Sequence, residues 1–247
     1  MLGRLNGQKG ETSRISTKMK YSKFGSIFLV FVLGFAAYVI VATNTVSAQT
    51  IRVACIGDSI TEGSGYPFRL QLLLGPNYTV VNFGHSGSTV SLDSNLPYMN
   101  QTEFQRAQEF DPDIIVIMLG TNDAQPQVDC EDNFEADYTQ LITSLQGLEG
   151  TQHIWVVRSP PIFNNNTSYN NTILVNTVLP QIDSLADDMN LPTVDMYDAL
   201  SSHPDYFVDG VHPNPSGAYS IASNIYDAIT LPDGSPDTSY FGDDYFG

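Results

Sequence analysis

A hydroxyl, an imidazole, a carboxylate and two groups able to donate hydrogen bonds to an oxyanion lie in four short blocks of this chain. The blocks are Gly57-Asp58-Ser59, Asn82-Phe83-Gly84, Gly120-Thr121-Asn122-Asp123 and Asp209-Gly210-Val211-His212. Serine becomes a nucleophile at neutral pH only beside a base. Among His85, His153, His203 and His212, only His212 has a carboxylate three residues before it, Asp209, with Gly210 between to let the loop turn. That spacing lets Asp209 reach Nδ1 while Nε2 faces Ser59, as a triad requires. Acyl transfer also passes through an oxyanion, for which Gly84 offers a backbone N–H, Asn122 a side-chain amide and Ser59 its own N–H. Asp58 and His85 are further candidates to line a substrate. Asp123 is another, although its position suits bracing its own loop better. Taken singly, each block is also an ordinary turn or helix cap; the argument rests on all four together.

Such groups need a scaffold that brings them to one edge. Short β-rich runs at 51–56, 79–83, 113–119, 153–157 and 193–196 alternate with helical patterns. The helices are predicted at 66–74, 104–110, 134–148, 173–189 and 215–229, with Pro180 expected to kink or break the fourth. The uninterrupted apolar stretch at 114–119 suits a strand covered on both faces, as in parallel sheets. Alternation of this kind predicts an α/β domain, a three-layer α/β/α sandwich around a five-stranded parallel sheet. Ligands bind at the carboxyl ends of such strands, and Ser59, Gly84 and Asn122 all fall there.

Gly57-Asp58-Ser59-Ile60-Thr61 and the three later blocks resemble, in order, the four blocks of the SGNH/GDSL hydrolase family. The resemblance spans about residues 51–229 and implies a flavodoxin-like fold. It makes Ser59 the nucleophile, Gly84 and Asn122 oxyanion donors, His212 the base and Asp209 its acid. The stretch Gly120-Thr121-Asn122-Asp123-Ala124-Gln125-Pro126 is similar to the carbohydrate acetylesterases of that family, a less specific likeness. A G-x-S-x-G elbow is incomplete, since Ile60-Thr61 follows Ser59, which argues against an ordinary α/β-hydrolase.

The ends of the chain read differently. Six of the ten basic residues and one of the 27 acids lie in positions 1–48, before and around an apolar run at 27–42 that ends near Val46-Ser47-Ala48. This is the pattern of a signal peptide cleaved near Gln49, with Met19 as an alternative start. The alternative is an uncleaved signal anchor, for which the roughly 19 residues at 24–42 suffice. Either places the domain at 49–230 outside the cytosol, secreted or membrane-anchored. Residues 231–247 read as an acidic, flexible tail.

Residues 49–247 retain four arginines, no lysine and 26 acids, a net charge of −22. That surface repels nucleic acid and acidic polymers. Sequons begin at Asn77, Asn100, Asn165, Asn166 and Asn170, as in a secreted glycoprotein. Cys55 and Cys130 permit one disulfide, but Cys55 in a predicted central strand also suits a buried thiol. No metal-ligand spacing or phosphate loop is present, so no cofactor is expected.

The leading expectation is a serine esterase removing short acyl groups, acetyl above all, from small-molecule or glycan esters. The alternatives are a lipase, lysophospholipase or thioesterase of the same fold, and a non-catalytic carbohydrate-binding or surface module. The sequence leaves the oligomeric state open.

Overall fold

The computed structural model describes residues 50–128, 132–164 and 168–231. The basic leader, the tail from Pro232, Cys130 and the sequons at Asn165 and Asn166 lie outside them. Five strands form one sheet: β1 (Ile51–Gly57), β2 (Tyr78–Gly84), β3 (Ile114–Met118), β4 (His153–Arg158) and β5 (Thr193–Asp195). Their order is β2-β1-β3-β4-β5 and every pairing is parallel, the flavodoxin-like arrangement. The helices are α1 (Ser59–Gly63), α2 (Tyr66–Leu74), α3 (Thr102–Phe110), α4 (Phe134–Gln146), α5 (Asn171–Ile173), α6 (Leu179–Asp188), α7 (Met196–Leu200) and α8 (Pro215–Thr230).

The period of two along each strand divides the core into two apolar layers. Ala54 and Ile56 of β1 and Ile115 and Ile117 of β3 pack with Phe104 of α3, Tyr138 and Leu141 of α4, and Ile182 of α6. The alternate residues, Val53, Cys55, Ile114 and Val116, meet Tyr66 and Leu70 of α2, Leu200 of α7, and Ile221 and Ile225 of α8. Both faces are therefore covered, as the apolar run at 114–119 requires. Cys55 is a buried free thiol in β1.

Two predicted elements differ. The helix expected at 173–189 is in three parts, because Leu174–Val178 is a π turn leading into α6. Pro180 sits in the first turn of α6, where its missing N–H costs little. β5 is shorter than expected: Asp195 caps α7 through Asp198 N–H, so Met196 opens a helix. The structure also contains α1, α7 and two 3₁₀ turns, Tyr98–Asn100 and Pro204–Tyr206, which periodicity alone did not mark.

Register aligns the strand exits. Gly57 pairs with Gly84 on one side and with Met118 on the other, so β1, β2 and β3 end at one level. β1 is where the order reverses between β2 and β3, and such switch points open a crevice above the sheet.

Candidate active site

Ser59 is carried into this crevice by α1, which sits directly on the strand ends. A Cβ on Gly57 would lie 2.0 Å from Thr61 Oγ1, and one on Gly84 would lie 2.3 Å from Glu62 N. Only glycine at those two positions permits so close an approach. Asp58 caps α1, its Oδ1 accepting Ile60 N–H at 2.9 Å. Asn82 ties the other end of α1 to β2: its Nδ2 donates to Thr61 O at 2.8 Å and Glu62 O at 3.2 Å.

His212 approaches from the loop between the Pro204–Tyr206 turn and α8. A bridge between Phe207 and Pro213, with Val208 N–H donating to His212 O at 2.9 Å, closes that loop. Inside it, Asp209 Oδ1 accepts Val211 N–H at 3.0 Å and His212 N–H at 2.8 Å. Asp209 Oδ2 lies 2.7 Å from His212 Nδ1, and His212 Nε2 lies 2.9 Å from Ser59 Oγ. Partial burial pushes the Asp209 carboxyl up, but the backbone and imidazole of His212 and the Val211 N–H outweigh it and hold the group down at about 2. An ionised carboxylate only accepts, so the shared proton resides on Nδ1 and Nε2 has a lone pair for the Ser59 hydroxyl. The three groups form one continuous hydrogen-bonded chain from carboxylate to nucleophile, although 153 positions separate Ser59 from His212.

The groups expected to receive an oxyanion are arranged less simply. Gly84 N–H donates to Asn82 Oδ1 at 2.8 Å. It is therefore occupied, and the close packing just described accounts for this glycine. Another candidate donor, which the sequence reading did not single out, is Gly87, three residues on, at φ +80°. In its turn, His85 N–H donates to Gly57 O, Ser86 N–H to Glu62 Oε2 and Ser88 N–H to His85 O. Gly87 N–H has no partner among the described residues, and its neighbour Ser86 lines the cleft with Ser59 and His212. The second glycine of Gly84-His85-Ser86-Gly87 was the available signal, but sequence does not reveal which N–H is left unbonded.

Asn122 is buried, 1 % exposed. Its Nδ2 donates to Ser88 O at 3.0 Å and to Asp58 Oδ2 at 3.3 Å, while its Oδ1 accepts from Gln125 at 3.1 Å. Ser59, the first residue of α1, has no intrahelical acceptor for its N–H.

Of the three residues expected to line a substrate, none borders the cleft. Asp58 is 1 % exposed and burial pushes its carboxyl up to about 7, against the pull of the Ile60 N–H. Asp123 is fully buried and accepts Val90 N–H at 3.0 Å and Ser91 N–H at 2.9 Å. It braces the loop after β2, and burial raises it to about 6. His85 turns to Ser88, Nδ1 to Oγ 3.0 Å. His153 packs beside Trp155 and His203 stacks on Tyr206.

The cleft has a volume of about 330 Å³ and is bordered by Ser59, Gly63, Ser64, Ser86, Val208 and His212. Val208, 71 % exposed, is its apolar rim. Among the described residues no cluster of His, Cys, Asp or Glu could hold a metal ion.

Comparison with known proteins bears on the family and the fold. A model of the GDSL-like lipase/acylhydrolase family matches residues 55–219. An acetylxylan esterase of Xylanibacter ruminicola is 33% identical over 208 residues, 73% of this chain but 43% of that protein, so the chain spans less than half of that relative. Among solved structures, Axe2, an acetylxylan esterase from Geobacillus stearothermophilus, superposes with a TM-score of 0.60 at 22% identity, covering 74% of this chain and 97% of that one. LAE5, an α/β hydrolase enzyme from the metagenome of Lake Arreo, superposes at 0.58 with 21% identity, over 73% of this chain and 96% of its own. At such identities these two likenesses speak for the fold. With the family model matched over more than half of its length, this chain belongs to the GDSL-like lipase/acylhydrolase family, the SGNH/GDSL hydrolases that its four blocks resemble.

Proposed function

We propose that the protein is a serine esterase that removes acetyl groups from carbohydrate, acting outside the cytosol. The observation that carries this reading is the unbroken run from Asp209 through His212 to Ser59, at 2.7 and 2.9 Å. In the proposed reaction Ser59 Oγ attacks the ester carbonyl carbon and passes its proton to His212 Nε2. The imidazolium is stabilised by Asp209 and gives the proton to the sugar oxygen as its bond to the acyl carbon breaks, so that the sugar leaves with a free hydroxyl. A water then attacks the acyl-enzyme by the same proton route and releases acetate.

The oxyanion of each tetrahedral intermediate is received by the N–H groups of Ser59 and Gly87 and by Asn122 Nδ2. Each such donor contributes about 2.7–4 kcal/mol in enzymes of this chemistry. Of the two acceptors Asn122 holds at rest, Asp58 at 3.3 Å is the more distant and is the one an oxyanion replaces.

The 33% identical relative named as an acetylxylan esterase supports carbohydrate as the acyl carrier. The acidity of residues 49–247 favours an uncharged glycan over a polyanionic one. Export is supported by the basic lead, the apolar run and Val46-Ser47-Ala48. The test is acetate release from a panel of acetylated oligosaccharides, beside p-nitrophenyl esters of rising chain length, for wild type and Ser59→Ala. The reading expects acetyl to be the best acyl group, release from a neutral glycan, and no activity in Ser59→Ala. A preference for long chains would make it a lipase or thioesterase, and turnover by Ser59→Ala would remove Ser59 from the reaction.

A further inference from the structure

Glu62, an exposed carboxylate three residues after Ser59 on α1, is unexplained by the chemistry above. Its Oε2 accepts the Ser86 backbone N–H at 2.8 Å and also takes a short hydrogen bond from Ser86 Oγ. Both donors of one residue thus converge on one oxygen. Ser86 belongs to the turn that ends in Ser88, in which His85 and Ser88 are separately held. His85 N–H donates to Gly57 O, Ser88 N–H donates to His85 O, and Ser88 O accepts Asn122 Nδ2. Ser86 has no other tether among the described residues, so Glu62 fixes the residue immediately before Gly87.

We propose that Glu62 is a positioning residue: by clamping Ser86 to the helix that carries Ser59, it sets the Gly87 N–H as an oxyanion donor relative to the nucleophile. The proposal rests on the serine-esterase reading above. Its physical basis is that oxyanion stabilisation depends on donors fixed before the charge develops. Gly87 has positive φ and is half-buried, and it has no side chain of its own to restrain it. One ion-assisted clamp from the same helix as Ser59 makes nucleophile and donor move as one body. The Ser86 side-chain bond leads the contributions that hold the Glu62 carboxyl below the ordinary glutamate range, which keeps the clamp charged at working pH.

The experiment uses the full chain with Glu62→Ala, Glu62→Gln, Ser86→Ala and the Glu62→Ala/Ser86→Ala pair. Each is assayed on p-nitrophenyl acetate and on an acetylated oligosaccharide, with thermal unfolding as a check. Glu62→Ala is expected to lower kcat about 10- to 100-fold on both substrates with KM changed less than about threefold, the signature of a contact felt only in the transition state. Glu62→Gln recovers most of that loss, because an amide oxygen still accepts from Ser86. Ser86→Ala loses less, and the pair is no worse than Glu62→Ala alone, since both act through one link. A wild-type kcat in Glu62→Ala overturns the proposal. So does a rise in KM for the glycan alone, which would make Glu62 a direct sugar contact, because p-nitrophenyl acetate carries no sugar hydroxyl. Turnover by Ser59→Ala overturns the esterase reading itself, independently of any Glu62 result.

Discussion

Replacing Asn122 by alanine separates two effects, one structural and one proposed for the reaction, that would both fall on a single amide. Its Nδ2 serves Ser88 O at 3.0 Å and Asp58 Oδ2 at 3.3 Å, and Ser88 and Asp58 are both buried. Truncation leaves those two acceptors without their donor. At about 1–3 kcal/mol for each buried unpaired group, the loss of stability is about 2–6 kcal/mol, a large share of the roughly 5–15 kcal/mol available to a domain. Water entering the vacated space moves the cost to the lower end. Gln125, only half-buried, regains water and adds little. The second effect is on rate: an absent oxyanion donor lowers kcat about 10²–10³-fold. Urea unfolding gives the first quantity, and kcat for p-nitrophenyl acetate, at a temperature where the variant is folded, gives the second. A variant with wild-type kcat would refute the oxyanion role. One with an unchanged urea midpoint would refute the claim that this amide satisfies the buried acceptors.

Asp209→Asn is expected to lower kcat by about 10²–10⁴-fold with little change in KM, because the wrong imidazole tautomer then faces Ser59; steady-state kinetics read the split. Gly84→Ala should destabilise the fold by more than about 2 kcal/mol in urea titration, since a Cβ there meets Glu62 backbone at 2.3 Å; a fully stable variant would contradict the packing account. Stability should also fall as pH rises from about 4 to 7. Burial raises Asp58 to about 7 and Asp123 to about 6, against 3.8 for an ordinary aspartate. The folded state therefore holds protons that the unfolded chain has already released, a stabilisation complete below 3.8 and lost through the folded values. Asp209 acts oppositely, its stabilisation being lost as pH falls from 3.8 towards 2. Urea midpoints across this range should show a slope that Asp58→Asn reduces by up to about 1.4 kcal/mol per pH unit.

Much of the sheet was legible because apolar strands buried on both faces leave a continuous signal. The run at 114–119 gave β3 within a residue at each end, and Gly75-Pro76 closed α2 where expected. That the sheet is parallel followed from the alternation of strands and helices, while its flavodoxin-like order followed from the family resemblance. The short helices α1 and α7 escaped notice, because they are defined by the caps at Asp58 and Asp195, not by an apolar period. Of the site, Ser59, Asp209 and His212 were readable because each must be one of a few residue types. The backbone donors were not. Any glycine supplies an N–H, and only the tertiary hydrogen bonds distinguish Gly84, tied to Asn82, from Gly87. Asp58 and Asp123 read in sequence as candidates to line a substrate for the same reason that they matter in structure. A buried carboxylate beside a loop is an acceptor for backbone N–H groups, and its burial is invisible in one dimension. Glu62 read as one more acid of a chain with 27; only the fold brings Ser86, 24 positions away, onto its carboxylate.

Reaction with a fluorophosphonate, followed by mapping of the labelled peptide, tests the central assignment most directly. The account predicts one label per chain, on Ser59, absent in Ser59→Ala and at least about 100-fold slower to form in His212→Ala, which loses the base. Labelling of a different serine, or equal labelling of Ser59→Ala, would contradict it.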